Sequence, residues 1–168
     1  MDRKGEREAN GWAVMKKPIR NAGFGLLAIL VILQLFQPDR NMGETGSGDN
    51  IVAVTGMPEE LANMFRNSCF DCHSNHTEYP WYSYVSPISW YLESHIRKGQ
   101  DHMNLDNFGK LEKNRKIGVL AEICDEVETG SMPLKSYLLI HRNAVIGEKE
   151  KEAVCSWTET EALKIMRE

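Results

Sequence analysis

The sequence contains no stretch that requires a β-strand of any length, no internal repeat and no surplus of basic residues. The first two absences set aside sheet-built and solenoid architectures, leaving an all-α class as the expectation. The third bears on partners. Net charge is -4, with 20 basic against 24 acidic residues. Residues 1–21 hold six of the basic residues (Arg3, Lys4, Arg7, Lys16, Lys17, Arg20) and three acidic ones (Asp2, Glu6, Glu8), so 14 basic and 21 acidic residues remain for the rest. Nucleic acid is a poor partner for such a surface. At 168 residues, 42% of them hydrophobic and 26% charged, the chain has room for one domain with an appendage but not for a second domain of full size.

Cysteine is also scarce, and half of the four cysteines fall in one pentapeptide, Cys69-Phe70-Asp71-Cys72-His73. Two thiols separated by two residues and followed at once by histidine suit covalent haem attachment. Each thiol adds across a vinyl group to leave a thioether, and the histidine is delivered to one face of the iron as its proximal ligand. A zinc site would need two further ligands at fixed spacing, and a thioredoxin-like pair would need a βαβ context and no histidine. Cys124 and Cys155 remain as an even pair, able to form a disulfide in an oxidising compartment.

Residues 1–21 read as a basic tail and 22–36 (AGFGLLAILVILQLF) as an uncharged apolar run whose one polar residue is Gln34. Basic residues before the run and Pro38-Asp39 after it predict a single transmembrane helix, with the C-terminal part outside. No small-x-small cleavage site and no lipid-attachment cysteine follow Phe36, which favours an uncleaved anchor over a signal peptide. Gln37 to Asn50, with three glycines, reads as a flexible tether, and the folded domain is expected over 51–168.

Within that domain Pro58-Glu59-Glu60 predicts a helix start, and Leu61, Met64, Phe65, Ser68 and Cys69 recur at three and four residues, aiming one face at the motif. The aromatic loop Tyr79 to Tyr84 is expected to wrap the cofactor's edge. Ser86-Pro87 opens a predicted helix ending near Gly99, with Ile88, Tyr91, Leu92, His95 and Ile96 on one stripe. Further helices are predicted over about 111–129 and 148–166. A second axial ligand would be methionine or histidine. Met132 stands 59 positions after His73, just past Gly130 and stiffened by Pro133. His95 is the alternative, and His76, His102 and His141 are outside candidates.

The order helix, CxxCH, loop, helix, Met-Pro, helix resembles the small monohaem c-type cytochromes. More closely, Cys72-His73-Ser74-Asn75, Tyr79-Pro80-Trp81-Tyr82-Ser83, Ser89-Trp90, His95-Ile96, Met132-Pro133, His141 and Trp157 resemble the bacterial haem-binding domain family. The resemblance implies one haem c on Cys69 and Cys72, His73 as proximal ligand and Met132 as distal ligand. It says little about an electron partner; the attachment motif, the two candidate axial ligands and the anchor instead point to a single-pass protein of the bacterial inner membrane whose periplasmic domain transfers electrons, with redox proteins as partners. The rival readings are a peroxidase-like or gas-handling enzyme with His95 as distal acid or base, a haem sensor or subunit of a larger respiratory complex, and a thiol-redox or zinc module.

Overall fold

The computed structural model describes residues 19–167. The tail residues Arg3, Lys4, Arg7, Lys16 and Lys17 lie outside that range. The described residues are helical, with no strand among them, so the all-α expectation holds. They divide into two units, 19–39 with 80–92, and 40–79 with 93–167.

In the first unit, helix α1 covers residues 19–33, about 22 Å at the helical rise against a hydrocarbon core of about 30 Å. The apolar run does not continue as helix, because its last residues are held elsewhere. Gln34 donates to the carbonyl of Ser86 at 3.1 Å and accepts the Ser86 N–H at 3.0 Å. The indole of Trp90 donates to the carbonyl of Phe36 at 2.6 Å. No helix among the described residues is long and apolar enough to cross a membrane. The expected transmembrane helix, and with it the inner-membrane localisation, is therefore corrected. A 3-10 turn, Trp81–Tyr84, completes this unit together with the first residues of the helix Ile88–His102.

The second unit carries α2 (Ile51–Thr55), α3 (Glu59–Ser68), the single turn α4 (Phe70–His73), the C-terminal part of α5 (Ile88–His102), α6 (Lys113–Glu128), α7 (Lys135–Leu138) and α8 (Glu148–Arg167). A 3-10 helix over Leu105–Lys110 links α5 to α6, and a 3-10 turn over Arg142–Ala144 precedes α8. Its core is built on Ile51, Phe65, Leu105, Phe108, Val119, Leu120 and Val154, all essentially inaccessible. Phe65 meets Trp157 edge to face, with centroids 5.6 Å apart. Helix α6 packs along α8, and the two are joined by a Cys124–Cys155 disulfide.

Helix α5 does not stop at Gly99 but runs three residues further. Of the stripe predicted on it only Ile96 is buried, while Ile88 and Tyr91 are exposed.

Candidate functional site

Helix α3 ends where the cysteine motif begins. The Cys69 N–H donates to the Phe65 carbonyl at 2.9 Å, and the Cys69 carbonyl then accepts from the N–H groups of Cys72 (3.2 Å) and His73 (3.0 Å). One residue closes α3 and opens α4. The motif is therefore a turn of helix that sets its two thiols one turn apart.

His73 is buried, and its Nδ1 lies 2.9 Å from the carbonyl oxygen of Met103. A carbonyl only accepts, so Nδ1 carries the proton and Nε2 keeps a lone pair. Burial pushes the imidazole below its ordinary range, against the upward pull of the Met103 and Gly99 carbonyls. The neutral ring is the form in which histidine binds metals, and a carbonyl behind Nδ1 is the usual partner that orients it.

Gly99 explains why α5 can cross the motif. A β-carbon there would stand 2.6 Å from the carbonyl oxygen of Cys72 and 3.3 Å from its Cβ. Only a residue without a side chain permits this approach. The interior glycine, normally unfavourable in a helix, was the sequence signal for it.

Met132 reaches the site through the end of α6. Gly130 adopts a left-handed conformation (φ 70°) after the helix. The reversal returns the Met132 N–H to the Glu126 carbonyl at 3.0 Å. Cys69, His73 and Met132 then line one cavity of about 180 Å³, whose apolar wall includes Phe65, Leu105, Ile123 and Val127.

The cavity does not take in every candidate. Cys72 lies beneath Gly99 and is not among its lining residues, and neither is Tyr79 or the half-buried His95. His102 does line it, but its ring is 67% exposed and sits 3.5 Å from Glu122. His76 and His141 lie elsewhere.

The thiols are poorly ionised. Burial, and secondarily Cys72, pushes Cys69 up to about 12; burial, and secondarily Asp71, pushes Cys72 up to about 11. Redox-active cysteines need depressed values, so this pair does not suit thiol-redox chemistry.

A polar clasp holds the loop after His73, and sequence reading missed its centre. Asp106, 1% exposed, accepts from the Asn75 N–H at 2.8 Å and from the Asn50 side-chain amide. The Ser47 hydroxyl donates to the Asp106 carbonyl at 3.1 Å. Ser74 offers its carbonyl to Asn41 (3.0 Å) and Gln100 (2.6 Å), and the Gly43 N–H donates to Asn75 at 2.7 Å. The stretch read as a tether thus contributes Asn41, Gly43, Ser47 and Asn50 to this clasp.

A family model described as a haem-binding domain matches residues 28–160, most of the chain. The chain belongs to the haem-binding domain family. No curated protein and no solved structure matches it.

As a haem-binding domain, the site can be tested against its cofactor. An apolar wall, a neutral imidazole with Nε2 available, a thioether and a thiol in one cavity form a donor set that fits haem iron and its porphyrin. The volume is below the roughly 300–1,000 Å³ of an ordinary ligand pocket, so the cavity as it stands would take only part of a macrocycle.

Proposed function

We propose that the chain binds one haem covalently through Cys69 and Cys72, holds its iron between His73 and Met132, and carries single electrons. The observation that carries this reading is the shared cavity of Cys69, His73 and Met132, with His73 Nδ1 held on the Met103 carbonyl. A haem held in this way supplies a one-electron couple at its iron. The protein's part is to keep that couple closed to other chemistry. Met103 and Gly99 fix the imidazole, the reversal at Gly130 presents the Met132 sulfur, and Phe65, Leu105, Ile123 and Val127 exclude water. A thioether ligand favours the ferrous state and raises the potential. An electron carrier is favoured over an enzyme because Met132 lines the cavity with His73 and would take the coordination site that a substrate needs open, while His95 is not among the cavity's lining residues.

The test is expression of the full chain with haem-attachment machinery, followed by denaturing gel staining and ferric and ferrous spectra. Haem that stays with the denatured chain is expected, together with a sulfur-to-iron band that Met132→Ala loses and His95→Ala keeps. Haem removed by denaturation would overturn covalent attachment, and a band lost only in His95→Ala would exchange the two ligands.

A further inference from the structure

The segment after Met132 leaves the cavity and returns to it. Met132 and Pro133 line the cavity at one end and Ile146 at the other. Between them the chain is held down at two points. The Tyr137 hydroxyl donates to Asp71 Oδ2 at 2.8 Å, and the Ser68 hydroxyl donates to the Ala144 carbonyl at 3.2 Å. Asp71 lies inside the cysteine motif, and Ser68 immediately precedes it. Tyr137 also stacks on His141, with centroids 3.9 Å apart and planes 10° from parallel. Residues 134–145 therefore form a fastened surface segment beside the haem-binding residues.

Two features mark its outer side. Leu139, Ile140 and Val145 are 68%, 61% and 54% exposed, although they sit within seven positions of one another. Between Glu128 and Glu148 there is no acidic residue, while Lys135 and Arg142 are both exposed. A chain of net charge -4 thus presents a locally basic segment with an apolar centre. Protein interfaces share this plan, with an apolar core that excludes water and a charged rim that steers the encounter.

We propose that residues 134–145 are the docking surface for an acidic one-electron redox protein. The inference rests on the electron-carrier reading above. Charge complementarity sets the sign of the partner. The tie from Tyr137 to Asp71, and the two-residue step from Leu134 back to Met132, set the function, since an electron delivered here arrives beside both the attachment motif and the distal ligand. One electron passes from the reduced partner to ferric iron; no bond forms or breaks. Steering between opposite charges speeds association and fades as salt screens it.

The test uses the full-length haem-loaded protein and reduced flavodoxin as an acidic probe, with electron transfer followed by stopped flow at low and high salt. Lys135→Glu/Arg142→Glu is expected to slow the reaction about 10-fold at low salt and to invert its salt dependence, because salt then screens a repulsion. Leu139→Ser/Ile140→Ser is expected to slow it several-fold at both salts. Reduction by neutral hydroquinone should be the same in all three proteins. Unchanged flavodoxin rates in a haem-loaded protein would overturn the docking surface alone, as would an equal slowing with hydroquinone. A chain that purifies without haem would overturn the electron-carrier reading and the docking surface with it.

Discussion

Gly99 and Cys72 are in such close contact that a single methyl group at Gly99 would stand 2.6 Å from the Cys72 carbonyl oxygen and 3.2 Å from its carbonyl carbon. The obstacle is backbone, which cannot swing aside. In an ordinary helix interior alanine is better than glycine by about 1 kcal/mol. Here the sign reverses. Gly99→Ala is expected to destabilise the protein by about 1–3 kcal/mol through overpacking, read as a lower urea midpoint, and to reduce haem incorporation because Cys72 and His73 shift together. A midpoint equal to or above wild type would show that the crossing is looser than the contact implies.

Asp106 holds the other side of the motif. Asp106→Ala leaves the Asn75 N–H and the Asn50 amide without their acceptor in a buried place. The expected loss is about 2–6 kcal/mol, at a rate of about 1–3 kcal/mol for each orphaned group. Thermal unfolding of the wild type and the variant, at matched haem content, measures it. A loss within about 0.5 kcal/mol, the scatter of ordinary surface substitutions, would mean that the clasp adds nothing.

The haem-free chain should show inert thiols. Both cysteines stand well above their ordinary value of 9.0, so at pH 8 their alkylation in the folded apoprotein is expected to be roughly 100-fold slower than in the denatured chain. The sign for stability follows from the same shift. The folded state binds these protons more tightly than the unfolded state. The stability this confers is complete below about pH 9 and is lost as pH rises through about 11 and then about 12. Equal alkylation rates in the folded and denatured apoprotein would contradict the burial.

The disulfide ties α6 to α8 across 31 positions. On the chain-entropy model its removal in Cys124→Ser/Cys155→Ser costs about 3–4 kcal/mol. Since α6 also carries Ile123 and Val127 in the cavity wall, the double variant is expected to bind haem less completely as well. Thiol titration of the denatured, unreduced wild-type holoprotein should find no reactive cysteine. Two reactive thiols there would remove the disulfide, and a variant as stable as wild type would remove its contribution.

What could be read from sequence was local chemistry. Cys69, Cys72 and His73 occupy five consecutive positions, and Phe65 and Ser68 precede them at helical spacing, so their placement near one another needed no tertiary information. Met132 was a weaker signal, legible through its proline and the preceding Gly130. Met103 and Asp106 carried no signal, since a backbone carbonyl has no residue type and an aspartate in Leu105–Lys110 looks like any loop acid. The apolar run 22–36 misled because hydropathy counts residues and does not see Gln34 and Phe36 held by Ser86 and Trp90.

The sequence by itself determined the helical class and the local grouping of Cys69, Cys72 and His73, because residue spacing and 3.6-residue periodicity act over one or two turns. Tertiary structure alone decided which face His73 presents, since its tautomer depends on a carbonyl 30 positions away. It also decided that Met132 and not His95 shares the cavity with His73, because that outcome depends on which residues of α3, α6 and the turn after α6 the fold brings around one cavity.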